Sequence, residues 1–152
     1  MKNRSQNNIL ISACLLGIKC RYDGTDSLNT ELLELDSGDE SRFIPVCPEQ
    51  LGGLSTPREA CEIENGSGSD VLDGNSKVKG RRSGADFTEN FIRGAEQTLK
   101  LAQFMGCKIA LFKCHSPSCG KVHIKRKGKT VKGDGVTTAL LLRNNIEVQT
   151  VI

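Results

Sequence analysis

No stretch of this 152-residue sequence is apolar over the length a bilayer requires, which excludes a helix that crosses a membrane. Residues 1–8 are polar and lack the apolar segment of a secretory signal, so a cytoplasmic location is expected. A strong charge of one sign is missing too. The formal net charge of +3 does not make the whole surface a polyanion binder, and nucleic acid is left as a disfavoured partner of local basic patches. There is no internal repeat and no low-complexity tract. The cysteines lack the closely spaced pairs of structural zinc, apart from the stretched pair Cys114 and Cys119. The two histidines, His115 and His123, have no spacing that suggests a metal pair. An odd total of 7 cysteines in a reducing compartment argues against a disulfide framework.

What is present reads as one domain over residues 9–152, preceded by a polar tail over 1–8. Short apolar runs at residues 9–13, 43–46, 108–112 and 146–148 have the length of buried strands. Between them, residues 28–35 have helical spacing. Asp86-Phe87-Thr88-Glu89 has the form of a capping box for a helix whose apolar face, Phe87, Phe91, Ala95, Leu99 and Ala102, runs on until Gly106. Asp134 is positioned to cap a further helix through Arg143. Residues 64–84 read as loop with a small hairpin around Lys77-Val78-Lys79, and residues 122–132 as a basic hairpin. Strands alternating with helices predict an α/β layered fold with a mostly parallel central sheet. Nothing in the sequence specifies an oligomeric state.

Three cysteines stand apart from the rest. Cys14, Cys47 and Cys119 each lie at the carboxyl end of an expected strand or in the turn-rich segment that follows it. In an open parallel sheet those ends share one rim, where ligands bind. Cys61 and Cys107 read as packing cysteines, and Cys20 and Cys114 as candidates for a fourth ligand. Dispersed thiolates suit an iron–sulfur cluster, and three ligands on four irons would leave one iron open as a Lewis acid. A zinc- or RNA-binding module without catalysis, or a thiol nucleophile beside His115, would give a similar pattern.

A set of motifs then points further. Ser12-Ala13-Cys14-Leu15-Leu16-Gly17, Cys20-Arg21-Tyr22-Asp23-Gly24, Val46-Cys47-Pro48-Glu49-Gln50-Leu51-Gly52-Gly53, Thr56-Pro57-Arg58, Asp70-Val71-Leu72-Asp73-Gly74, Ser116-Pro117-Ser118-Cys119-Gly120 and Gly133-Asp134-Gly135-Val136-Thr137 together resemble the thiouracil desulfidase family. The resemblance implies non-redox removal of sulfur from 4-thiouracil-type compounds, or from another thiolated compound. The substrate expected from it is 4-thiouridine 5′-monophosphate, giving UMP and hydrogen sulfide. It implies a [4Fe–4S] cluster on Cys14, Cys47 and Cys119 with the fourth iron open, and catalytic roles for Glu49 and Ser116. Arg21, Tyr22, Arg58, Ser118, Asp134 and Gly135 are expected to meet substrate, the alternatives being that Arg21-Tyr22-Asp23 forms a packed corner, that Ser118 donates to cluster sulfur and that Arg58 pairs with Glu59 or Glu62. The cations Lys121, Lys125, Arg126, Lys127, Lys129 and Lys132, next to an expected helix start, read equally as a solvated hairpin that blocks strand pairing or as a site for a 5′-phosphate.

Overall fold

The apolar runs around Ile9, Phe43, Ala110 and Val148 lie side by side in one sheet. A computed structural model describes residues 7–35 and 41–152. The chain passes through β1 (Asn7–Ser12), α1 (Thr30–Leu35), β2 (Ser41–Val46), α2 (Pro48–Leu51), β3 (Cys61–Ile63), α3 (Gly68–Leu72), β4 (Val78–Gly80), α4 (Thr88–Phe104), β5 (Ile109–Lys113), β6 (His123–Arg126), β7 (Lys129–Lys132), α5 (Val136–Arg143) and β8 (Glu147–Val151). Of the polar tail expected over 1–8, residues 1–6 lie outside the described residues, while Asn7 and Asn8 begin β1 beside Ser41 and Arg42.

The central sheet has the order β2-β1-β5-β8 and every pair in it is parallel. Since β1 is interior, the chain leaves it toward β2 on one side and later returns to β5 on the other. That reversal puts the switch point, where α/β sheets bind ligands, at the carboxyl ends of β1 and β5. The two strands part there. Their ladder ends with Ile11 opposite Leu111, and the Lys113 N–H donates to the Ser12 hydroxyl (2.9 Å) in place of a backbone partner.

A parallel sheet buries both faces, and successive side chains alternate between them. Leu10, Ala110, Phe112 and Val148 pack with Ala102 of α4 and Leu141 of α5. Ile11 and Phe43 pack on the other side with Leu15 and Leu32. Helix α1 is shorter than the periodicity of residues 28–35 suggests, because the Asn29 carboxamide oxygen accepts the Leu32 N–H (3.2 Å) and Leu28 stays outside.

Several other starts and ends differ from the sequence reading. At α4 the Asp86 carboxylate accepts the Thr88 N–H (2.9 Å), but the reciprocal half of a capping box is not made. The segment 64–84 is more ordered than a loop. It contains α3, capped by the reciprocal Ser67 and Asp70 pair, and β4, which pairs antiparallel with β3. Their Ile63, Val71 and Val78 complete an apolar cluster with Phe91, Ile124 and Val136. Helix α5 begins at Val136 with Gly135 at its cap, and Asp134 does not cap it. The Asp134 carboxylate instead accepts the Val122 N–H (2.7 Å), joining the two ends of the β6–β7 hairpin.

Short helix α2 starts on a proline, whose fixed φ and missing N–H suit a first helical turn. It lies against α4 through glycine. A Cβ on Gly94 would meet the Pro48 carbonyl oxygen, and one on Gly52 the Asn90 carbonyl oxygen, so backbone touches backbone. Gly94→Ala should therefore lower the unfolding free energy by about 1–3 kcal/mol, the usual cost of overpacking, despite the better helix propensity of alanine. Urea denaturation would read this loss, and an unchanged or raised stability would show that the contact does not hold α2 in place.

Candidate active site

At the parted carboxyl ends lies a cavity of about 360 Å³. The turn after β1 supplies Cys14 and Cys20, the β2–α2 junction supplies Cys47 and Glu49, and the loop after β5 supplies Ser116, Ser118 and Cys119. Each segment is bent for a local reason. Gly17, at φ 89°, closes the turn after β1, and Cys14 O accepts the Ser27 N–H (2.9 Å). After β5, His115 takes φ 67°. The Ser116 hydroxyl then accepts the N–H groups of Ser118 (3.1 Å) and Cys119 (2.8 Å). The first N–H groups of α5 hold this loop as well. Val136 N–H donates to Pro117 O, and those of Thr137 and Thr138 donate to Ser118 O. With those donors engaged, the helix start is not free to receive a phosphate.

Cys14, Cys20 and Cys119 are buried, and Cys47 is half-buried. The thiols influence one another. Hydrogen bonding to Cys20 holds the Cys14 thiol below its ordinary pKa, whereas Cys20, as the donor to Cys14, is raised. Hydrogen bonding to Cys20 raises Cys47, and burial adds to it. The Cys47 Sγ–H also donates to the Cys20 carbonyl oxygen (3.8 Å). Burial pushes the Cys119 thiol up to about 12, opposed by hydrogen bonds from the Ser118 and Ser12 hydroxyls.

Among the described residues, no three histidine, cysteine, aspartate or glutamate side chains converge closely enough to hold one metal ion. The thiols instead surround a space. Soft sulfur donors spread around a cavity fit a polynuclear iron–sulfur group, and the four-coordinate geometry of a structural zinc is not present.

Glu49 sits beside these thiols on the first turn of α2, with 14% of its side chain exposed. Its Oε1 accepts from Arg58 Nε (3.1 Å), and its Oε2 accepts from the Ser118 hydroxyl (3.1 Å). Ser118 Oγ in turn lies 3.0 Å from Ser116 Oγ. The chain of polar groups therefore runs Arg58, Glu49, Ser118, Ser116. Ser118 is the serine that touches the carboxylate, and Ser116 is one link farther away.

Arg58 borders the cavity as well, but its ion pair is not one of those expected. It pairs with Glu49, not with Glu59 or Glu62, and its side chain is only 7% exposed. The Glu62 carboxylate pairs with Arg81 (2.7 Å), and Glu59 binds Ser83. Arg21 and Tyr22 do reach the cavity, with the Arg21 guanidinium 5.9 Å from the Tyr22 ring centre. Asp134 and Gly135 are not among the lining residues. Gly135 lies directly behind the site, where a Cβ would meet the backbone of Ser118 and Cys119.

The expected cationic hairpin divides by function. Arg126 is bound to the Ile63 carbonyl (2.8 Å), and Lys121 to the Val148 carbonyl (2.7 Å). Lys125 alone of that group lines the cavity, where Lys113 and His115 join it. Burial and the neighbouring Lys125 and Lys113 lower the His115 pKa. Lys113 carries no separate signal in the sequence as a cation of the cavity, although it adjoins the Cys119 motif. Cys61, read as packing, is buried yet also borders the cavity, and burial pushes its thiol up to about 12.

Comparison with known proteins gives concordant matches. The 2-thiouracil desulfurase family profile matches residues 9–151. The uncharacterized protein YbbK of Bacillus subtilis (strain 168) is 44% identical over 136 residues, which is 88% of each chain. Among solved structures, the [4Fe-4S]-dependent thiouracil desulfidase TudS (DUF523Vcz) superimposes with a TM-score of 0.79 at 37% identity, covering 95% of this chain and 91% of that one.

The two serines predict unequal losses of stability. Ser116→Ala removes the acceptor of two backbone N–H groups in the cysteine loop, a loss of about 1–3 kcal/mol for each that stays unsatisfied. Ser118→Ala removes one donor, to the Glu49 carboxylate, which keeps Arg58 and partial exposure to water, so it should cost less than the two losses of Ser116→Ala. Urea unfolding of both apo variants checks the order, and a larger loss for Ser118→Ala would contradict it.

Proposed function

The chain belongs to the 2-thiouracil desulfurase family, and we propose that it removes sulfur hydrolytically from 4-thiouracil-type compounds at a [4Fe–4S] cluster held by Cys14, Cys47 and Cys119. One observation carries this reading: thiols from three strand ends surround a cavity into which Glu49 is also built. The 37% identical desulfidase is described as [4Fe-4S]-dependent, and the donor set here suits that group. When bound, the cluster supplies a Lewis-acidic iron, left open by three protein ligands, for the thiocarbonyl sulfur.

The side chains supply the rest. Glu49 takes a proton from water on its Oε2 side, and the water oxygen bonds to the ring carbon that carries sulfur. As the carbon–oxygen double bond forms, the added hydroxyl gives up its proton, the carbon–sulfur bond breaks, and sulfur departs as hydrosulfide carrying one of the water's two protons, with no change in the oxidation state of the ring. Ser118 connects Glu49 to Ser116, which gives the proton a route along hydroxyl groups. Glu49 lines the cavity with 14% of its side chain exposed, and a partly desolvated carboxylate interacts more strongly with the attacking water than one in open solvent.

The favoured substrate is 4-thiouridine 5′-monophosphate, yielding UMP. Lys113, Lys125 and Arg21 line the cavity without an ion-pair partner among the described residues, and His115 adds a donor. These groups suit one phosphate. They do not form the extended basic stripe that a nucleic-acid chain requires, which favours a small molecule.

Anaerobically purified protein should contain iron and acid-labile sulfide. Cys14→Ser, Cys47→Ser and Cys119→Ser should each lose most of it, while Cys107→Ser, in the core away from the cavity, should keep it. Turnover in heavy-oxygen water should place solvent oxygen in UMP. Retention of a full cluster in Cys119→Ser, or UMP without solvent oxygen, would contradict the proposal.

Replacing both Lys113 and Lys125 with glutamate should raise KM for the nucleotide about tenfold or more, since charge-assisted hydrogen bonds contribute about 1.5–3 kcal/mol. The KM for free 4-thiouracil should hardly change, and added salt should narrow the parent's preference for the nucleotide. Equal losses on both substrates would remove the phosphate role from these lysines.

A further inference from the structure

We propose that Arg58 is a positioning residue, which fixes the Glu49 carboxylate against the cysteine-bearing turn after β1 and has no direct contact with substrate. The inference rests on Glu49 acting as the base. It is carried by the engagement of all three guanidinium nitrogens with protein acceptors. Nε binds Glu49 Oε1 (3.1 Å), and Nη2 binds the Cys20 carbonyl oxygen (2.9 Å). Nη1 binds the Ser55 carbonyl oxygen (3.2 Å) and Thr56 Oγ1 (3.0 Å). The Arg58 backbone N–H adds a bond to Tyr22 O (2.7 Å).

Every nitrogen of the guanidinium is therefore engaged by protein, four of its five N–H groups are used, and although Arg58 borders the cavity its side chain is only 7% exposed. What the arrangement does provide is orientation. With Oε1 held by Arg58, rotation of the Glu49 carboxylate is blocked and Oε2 stays on the Ser118 side. A planar fork can satisfy the carboxylate, two carbonyls and a hydroxyl at once, whereas an ammonium at the end of a flexible stem cannot reproduce that fan of directions.

The link to the Cys20 carbonyl has a second consequence. In the structure that oxygen accepts from both Arg58 and the Cys47 thiol. A ligating Cys47 has no proton to donate, and two electron-rich atoms then face each other. Arg58 remains as the donor to that carbonyl, and its positive charge offsets the repulsion. One side chain thus holds the base and the backbone of the neighbouring thiol turn in a fixed relation.

The test compares Arg58→Lys with the parent, each with and without Glu49→Gln, in anaerobic protein whose iron and sulfide have been measured. Arg58→Lys should keep the parent's iron content and bind 4-thiouridine monophosphate with KM within about twofold. Its kcat should fall about 10- to 100-fold, as expected for a base displaced by a fraction of an ångström to an ångström. In the Glu49→Gln background the same substitution should change kcat less than about twofold, because there is no base left to position. Thr56→Val, which removes one acceptor of Nη1 and leaves the charge in place, should give a smaller fall with the same dependence on Glu49.

A parent-like kcat in Arg58→Lys would overturn the proposal, as would a raised KM with kcat intact, which would mean substrate contact. Equal falls in both backgrounds would show that Arg58 acts independently of Glu49. Loss of iron from Arg58→Lys, with no Glu49 dependence in Thr56→Val, would reduce Arg58 to a support of the thiol turn. These outcomes concern Arg58 alone. A parent that holds its cluster but releases no sulfide from any thiouracil would overturn the functional reading, and this proposal with it.

Discussion

The parting of β1 and β5 at their carboxyl ends is the constraint on which the site depends. Had their ladder continued past Ile11 and Leu111, the rim would be closed by backbone hydrogen bonds. The Ser12 hydroxyl takes the Lys113 N–H instead, so the donor is satisfied while the strands diverge. Space then opens between the turn carrying Cys14 and the loop carrying Cys119. These two thiols belong to opposite faces of the sheet, Cys119 among the residues under α4 and α5, Cys14 among those around Leu32. Only at the rim can side chains from both faces meet.

A buried charge pair at such a place is costly unless every polar atom around it is satisfied. Glu49 and Arg58 largely meet that condition: one carboxylate oxygen has Arg58, the other has Ser118, and three further guanidinium hydrogens have carbonyl and hydroxyl acceptors. Rigidity is supplied from behind. The Gly94 contact sets α2, and with it Glu49, against the long helix α4. The backbone donors at the start of α5 fix the loop of Ser116, Ser118 and Cys119. Polar groups placed for chemistry are thereby held by elements whose own stability comes from the apolar core.

The sequence conveys the layered architecture because buried strands and an amphipathic helix such as α4 are local patterns of hydrophobicity. It also brings Cys14 and Cys47 to strand ends, since a thiol just beyond an apolar run needs no long-range information to be placed, whereas Cys119 lies farther along, in the loop after β5. Other features depend on contacts between distant segments. Arg58 could be read equally as a phosphate ligand or as a partner of Glu59 or Glu62, and only the approach of α2 selects Glu49. Asp134 looked like a helix cap, yet the return of the hairpin offers it the Val122 N–H. Helix α3 was legible in principle from Ser67 and Asp70, but the surrounding glycine and serine concealed it. The six basic residues around the hairpin carry no sign of which ones face inward. Lys125 does, whereas Arg126 and Lys121 serve carbonyl groups of the protein itself.

The most direct measurement is an anaerobic crystal structure of the cluster-loaded protein with 4-thiouridine monophosphate. The expected result is a [4Fe–4S] cluster on Cys14, Cys47 and Cys119, with substrate sulfur on the fourth iron and the ring carbon facing the Glu49 carboxylate. The phosphate is expected beside Lys113 and Lys125. A cluster ligated by four protein thiolates in the presence of substrate, a single metal ion among the cysteines, or substrate bound away from Glu49 would contradict the central claim.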